Sequence, residues 1–297
     1  MLTYYFCLLM RPISPIIDYF LRIKRLFWAD NSVRILNYHS ISSGIKGKRL
    51  QHVAVSPEVF SSQMEFLARH RFNIVDLDTL LDWIRNRQPV PPRTLILTFD
   101  DGYEDNFTKA FPILNRHSFR AVFSIITDYI DKDSPFPWIS GRLSEKKGDD
   151  SEGMPLKRWQ LLALSHSGMT IASHTCHHNS LSRMDQEKVT EELSESRKEL
   201  EEILGAKIRY FTFPYGSWGD FNDRDKKLVQ SGGYKAALST KAGHNTLGSD
   251  LYELRRIPVF DMDGVSNFKR KVMGVYDVTG VVQRLGFELR RLTKRRK

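Results

Sequence analysis

Two carboxylates stand side by side at Asp100-Asp101, followed by Gly102, at the end of the apolar run Leu95-Ile96-Leu97-Thr98-Phe99. A turn at the glycine can bring both to one pocket, where one binds a cation and the other stays free as a base. A solvated Asp-Asp-Gly turn has the same sequence. A second set lies at His174-Thr175-Cys176-His177-His178. In a helical turn residues four apart share a face, so His174 and His178 can grip one ion while Cys176 and His177 point elsewhere. Two neutral imidazoles and one carboxylate leave a coordination position open, as catalytic zinc sites require. Pro214-Tyr215-Gly216 closes the aromatic run from Tyr210. Such a turn can present a backbone N–H to a developing oxyanion. His39 ends the run Leu36-Asn37-Tyr38 and can point toward the same place.

These residues need a frame that gathers strand ends. Short β-rich runs are expected at 34–39, 94–99, 120–125, 170–173, 208–213, 235–239 and 253–259. Several are continuously apolar, as strands of a parallel sheet covered on both faces are. Helical patterns alternate with them. Ser56 and Pro57 offer an N-cap and an N1 proline before 59–70. Further helices are expected at 77–87, 106–117, 156–166, 186–204 and 223–231, the last stopped by Gly232-Gly233. Strand and helix alternating about seven times argue for an α/β barrel, whose chemistry sits at the C-terminal ends of its strands. The polar stretch 131–153, with Pro135 and Pro137, reads as a long loop over one barrel end, able to act as a lid.

Hydrophobic residues make up 41% of the 297-residue chain and charged residues 27%, which suffices for a large core without covalent staples. The cysteines, Cys7 and Cys176, are too differently placed to suggest a structural disulfide. The net charge of +10 is concentrated at the ends: six cations lie among the last eight residues, Arg290 to Lys297, and Arg22, Lys24 and Arg25 sit near the start. Three segments are expected: an apolar and basic extension at 1–30, a catalytic domain at 31–265 and a basic amphipathic tail at 266–297. Residues Leu2 to Met10 are too few to span a bilayer and make a poor signal peptide. Ile16, Phe20, Ile23 and Phe27 recur at helical spacing, and Val281, Val282, Leu285, Leu289 and Leu292 form one apolar stripe beside many arginines. Each stripe fits a membrane-surface helix or one packed on the barrel. A membrane-peripheral or extracytoplasmic setting is compatible with this. Nucleic acid is not an expected partner, since no finger or aromatic-basic module accompanies the charge.

Thr98-Phe99-Asp100-Asp101-Gly102 and His174-Thr175-Cys176-His177-His178-Asn179-Ser180-Leu181 together resemble the two signature motifs of the NodB-like polysaccharide deacetylases, carbohydrate esterase family four. Phe213-Pro214-Tyr215-Gly216 is similar to their third, and the likeness spans roughly residues 33 to 260. The resemblance implies a distorted seven-stranded (β/α) barrel and one divalent ion, Zn²⁺ first, with Co²⁺ or Ni²⁺ as alternatives. It implies Asp101, His174 and His178 as metal ligands, Asp100 as catalytic base and the Tyr215 N–H as an oxyanion donor. Many members carry an arginine before the third motif's proline, where this chain has Thr212-Phe213. Many also carry a late histidine as general acid, whereas this chain has none after His244. The poly-N-acetylglucosamine deacetylase branch looks circularly permuted, with that histidine in the first strand. Leu36-Asn37-Tyr38-His39 resembles this arrangement, as does the segment Leu254 to Val259. His39 is then the general acid and Arg256 orients or polarises Asp100.

The expected reaction is hydrolysis of acetyl groups from N-acetylated sugars of a polysaccharide. O-acetyl esters and non-sugar amides remain open on the same residues. A non-catalytic glycan-binding protein that keeps a metal would not need the free carboxylate at Asp100.

Overall fold

A computed structural model describes residues 31–43, 54–139, 152–277 and 279–294. It begins with β1 (Arg34–Tyr38), α1 (Pro57–Arg69), β2 (Asn73–Ile74), α2 (Leu77–Asn86) and β3 (Thr94–Phe99). A π-helical turn at Asn106–Ala110 leads into α3 (Phe111–Arg116), then β4 (Val122–Ile125), α4 (Arg158–His166) and β5 (Thr170–Ser173). There follow α5 (Gln186–Leu204), β6 (Tyr210–Thr212), α6 (Asp223–Ser231), β7 (Ala236–Leu238), β8 (Ile257–Pro258), α7 (Val265–Val272) and α8 (Thr279–Lys294).

The strands form one parallel sheet in the order β7-β6-β5-β4-β3-β1-β8, with β2 pairing the start of β3. The seven-stranded path curls into a distorted barrel of the NodB-like kind. Its two edges meet through one irregular segment. Leu254 bridges Leu238 of β7, and three residues later Ile257 pairs with Leu36 of β1. The expected strand at 253–259 therefore shrinks to two paired residues. It has to cross from one edge to the other, and Arg256 lies in the crossing.

Side chains alternate along a strand, and this sorts the barrel interior into layers. Ile35, Ile96, Val122, Ala172, Tyr210 and Ala236 share one apolar cluster with Leu77, Leu80 and Leu81 of α2. Two residues further along four of these strands come Asn37, Thr98, Ser124 and Thr212, a polar layer in which the Ser124 and Thr212 hydroxyls share a 2.7 Å hydrogen bond. Directly after β1, β3 and β5 stand His39, Asp100 and His174. The opposite faces, with Leu36, Leu97, Phe123 and Phe211, pack against α1, α3, α4 and α5.

Some local expectations need correction. The helix expected at 106–117 is split. Pro112 has no N–H for the bond to Thr108, and the ladder slips to an i→i−5 bond from Phe111 N–H to the Asn106 carbonyl. Ser56 sits at the start of α1, yet its hydroxyl donates to Asp261 at 2.7 Å instead of capping the helix. The paired strand β2, two residues long, carries no alternation to read. On α8 the exposed residues include Val281 and Leu285, whereas Gln283 is buried and accepts the Ala242 N–H at 2.9 Å. Thus part of the apolar stripe faces outward. Among the described residues no helix is long and apolar enough to cross a membrane. The extension at 1–30, residues 140–151 of the loop expected at 131–153 and the tail end at 295–297 lie outside the described residues.

Candidate active site

The left-handed backbone of Asp101 (φ 76°) and Gly102 (φ 83°) turns the chain just after β3. Asp100 continues the inward face of the strand, and the turn at Asp101 lets the second carboxylate reach the same cavity. Asp101 Oδ1 lies 3.5 Å from His174 Nε2 and 3.5 Å from His178 Nε2. All three donor atoms fall within 4.8 Å of one another.

The segment from His174 to His178 is an irregular loop, not the expected helical turn. Thr175 (φ 68°) and His178 (φ 58°) are both left-handed, and the reversals fold the two imidazoles together. Their rings lie 4.9 Å apart. His174 Nδ1–H donates to the Thr212 carbonyl at 2.7 Å. That bond fixes the tautomer and leaves the Nε2 lone pair toward Asp101 and His178. Burial is the largest influence on His178 and lowers its pKa to about 4, although Asp101 pulls the other way. It is therefore a neutral donor at neutral pH. Burial raises the Asp101 carboxyl, but the imidazoles of His174 and His178 outweigh it and hold it below the usual range.

The fit to a single cation rests on these spacings. A distance of 3.5 Å is long for an N–H···O bond. Ligands at about 2.0–2.1 Å around a tetrahedral ion sit about 3.3–3.4 Å apart. The Asp101–imidazole spacings match that edge, and the donor set of one carboxylate and two imidazoles suits a borderline divalent ion.

Asp100 is outside this donor group and has another partner. Arg256, fully buried, grips it with two bonds: Nη1 to Oδ1 and Nη2 to Oδ2, both 2.7 Å. Arg256 also donates to the Ser239 carbonyl, Asn37 Oδ1 and Thr98 Oγ1. Burial would raise the Asp100 pKa, but Arg256 outweighs it and keeps the carboxyl well below the ordinary range. His39 Nε2 stands 4.0 Å from Asp100 Oδ2. That is too far for a direct hydrogen bond and near enough for one reacting group to touch both.

Tyr215 (φ 57°) lies at the mouth, 59% exposed, with its ring 4.7 Å from that of His178. Thr240 holds the turn, its N–H on the Gly216 carbonyl and its hydroxyl on the Tyr215 carbonyl. Among the described residues the Tyr215 N–H has no backbone acceptor. On the other side Trp138 reaches His178 with 5.4 Å between rings, and its indole N–H donates to the buried Tyr103 hydroxyl at 2.7 Å. Trp138 belongs to the described start of the 131–153 loop. The aromatic run Phe136-Pro137-Trp138 was the available signal for it, obscured by the surrounding polar residues.

The structure thus gathers Asp100, Asp101, His174, His178, His39, Arg256 and Tyr215 at one barrel mouth. Cys176 and His177 form a separate cluster with Glu192. Cys176 is a free thiol whose pKa burial pushes up to about 11; Cys7 lies outside the described residues.

Residues 87–237 match the polysaccharide deacetylase family. A Bacillus subtilis (strain 168) protein, YxkH, provisionally named a polysaccharide deacetylase, is 24% identical over 226 residues, 76% of this chain and 70% of the relative. The poly-beta-1,6-N-acetyl-D-glucosamine N-deacetylase of Staphylococcus aureus (strain MRSA252) is 23% identical over 248 residues, 80% of this chain and 82% of that one. Among solved structures, Streptococcus pyogenes deacetylase PplD superposes with a TM-score of 0.67 at 20% identity, covering 81% of this chain and 98% of that one. Sequence match and barrel agree: the chain belongs to the polysaccharide deacetylase family.

Proposed function

We propose that the protein hydrolyses the acetamido group of an N-acetylated hexosamine polymer, releasing acetate and leaving a free amine. Poly-N-acetylglucosamine is the first substrate to test, given the Staphylococcus aureus relative. The observation that carries the reading is the division of labour between adjacent carboxylates. Asp101 shares a donor cluster with two imidazoles, while Asp100 is excluded from it and clamped by Arg256.

Asp101, His174 and His178 would hold the divalent ion, Zn²⁺ first, with Co²⁺ or Ni²⁺ as alternatives. When bound there, such an ion supplies Lewis acidity, polarising the acetyl oxygen and acidifying a neighbouring water. Arg256 keeps Asp100 ionised, so a carboxylate oxygen is free to accept the water's proton as the water attacks the acetyl carbon. The clamp lowers the basicity of Asp100, which an acidified water tolerates. The Tyr215 N–H donates to the acetyl oxygen as it gains charge. His39 Nε2, across from Asp100 Oδ2, delivers a proton to the departing nitrogen. The Trp138 and Tyr215 rings flank His178 and offer apolar walls to a sugar ring.

The test is acetate release from N-acetylglucosamine oligomers, with chelator and with added Zn²⁺, Co²⁺ or Ni²⁺. Chelation should abolish turnover and the metal restore it. Asp100→Asn should still bind the ion yet lose on the order of 10²–10⁴ in kcat, the usual worth of acid–base catalysis. Release from O-acetyl esters alone would discard the amidase reading.

A further inference from the structure

Glu192 lies in the middle of α5, on a surface helix rich in glutamate and lysine, yet it is only 6% exposed. It falls on the buried stripe of that helix with Val189, Leu193, Ser196 and Leu200. Its carboxylate faces the loop that joins the two histidines of the donor cluster. Oε2 accepts the Cys176 N–H at 2.8 Å and the His177 N–H at 3.2 Å. Oε1 accepts from His177 Nδ1 at 2.6 Å. On its other side the loop is held by N–H groups that follow β4: Thr127 donates to the Thr175 carbonyl and Asp128 to the Cys176 carbonyl.

This clamp is placed where the loop needs it. Thr175 and His178 are left-handed, a conformation in which a Cβ crowds the backbone of a non-glycine residue. A free loop would relax, and the two imidazoles would separate. The Cys176 and His177 N–H groups have no strand partner, so a buried acceptor is required to hold the turn between the ligands. The close carboxylate–imidazole bond accounts for the Cys176–His177–Glu192 cluster without a second ion.

We infer that Glu192 is a positioning residue for the metal centre: it sets the spacing of His174 and His178 through the backbone between them and touches neither. The inference rests on the proposed cation site of Asp101, His174 and His178. Glutamine at 192 can place its single oxygen where Oε2 sits and keep both backbone bonds. Alanine cannot.

The experiment is Co²⁺ titration of the full chain, read by equilibrium dialysis and by the visible spectrum. Glu192→Ala should bind Co²⁺ about 10–100-fold more weakly, the range found for residues that orient metal ligands, with an altered spectrum. Glu192→Gln should stay within about threefold of wild type, as should His177→Ala, which keeps the backbone bonds. A general loss of stability would not spare glutamine while disturbing the spectrum of alanine. Wild-type affinity and spectrum in Glu192→Ala overturn the inference, and so does a loss in Glu192→Gln as deep as in alanine. If Glu192→Ala does not fold, Glu192→Asp draws the acceptor back by one methylene, and unchanged binding there overturns it equally. Wild-type protein that binds no Co²⁺ overturns the cation site and this inference together. Binding that Asp101→Ala abolishes but Glu192→Ala leaves intact overturns this inference alone.

Discussion

The pair Asp100–Arg256 buries two full charges. Its stability depends on the hydrogen bonds around it, and Arg256 makes five contacts: Nε to the Ser239 carbonyl, Nη1 to Asn37, Thr98 and Asp100 Oδ1, and Nη2 to Asp100 Oδ2. Arg256→Met would strand the carboxylate in the barrel. Breaking a buried pair in this way costs about 3–5 kcal/mol. Urea denaturation should show a loss of that size, and Arg256→Met/Asp100→Asn should recover part of it; an unshifted midpoint would contradict the account. Asp105 offers a second residue-scale test. Its carboxylate accepts the Ile41 N–H, the Asn106 amide and the Ser40 hydroxyl. Burial still dominates and lifts its pKa from 3.8 to about 7. The folded state therefore holds a proton between about pH 4 and 7 that the unfolded chain releases. Stability from this group falls as pH rises through that window, by about 1.4 kcal/mol per unit. Asp105→Asn keeps the same shape without the titration, so it should gain on wild type between pH 4 and 7.5 in urea midpoint. A gap independent of pH would refute the assignment.

Turns at the strand ends decide the geometry of the site. The third motif shows the constraint most directly. Gly216 is left-handed (φ 60°), and a Cβ there would lie 2.9 Å from both the Phe213 carbonyl oxygen and the Thr240 nitrogen. Gly216→Ala must shift the turn that carries the Tyr215 N–H. If that N–H serves the oxyanion, kcat should fall by about 10²–10³ with metal affinity retained. Tyr215→Ala keeps the N–H and should fall by less; equal losses in steady-state kinetics would point to the ring. At this scale the sequence was legible where pattern is local. The apolar runs of β1 and β3 and the glycine stop of α6 follow from composition. It misled where a loop borrowed support from elsewhere. The four-residue spacing of His174 and His178 suggests a helical turn, but the imidazoles are paired across a loop with left-handed Thr175 and His178, whose intervening N–H groups bond to Glu192 of α5.

For the whole molecule, cation binding and folding should be linked, because the donors come from two separate strand ends, after β3 and after β5, that only the folded barrel brings together. A ligand at about 100 times its Kd adds about 2.7 kcal/mol to stability. Thermal or urea unfolding with Zn²⁺ or Co²⁺ against chelator should show a gain of that order. Asp101→Ala should show none, and an equal gain in that variant would move the ion elsewhere.

The sequence by itself determined the alternating α/β architecture, the placing of His39, Asp100 and His174 at the ends of expected strands, and the motifs that mark the family. These are properties of neighbouring residues, carried by strand periodicity and turn chemistry. Only the tertiary structure decided that Arg256 grips Asp100 with both nitrogens, that Trp138 and Tyr215 flank His178, and that Glu192 braces the loop. Each of those contacts joins residues separated along the chain, and its strength comes from burial that exists only once the barrel has closed.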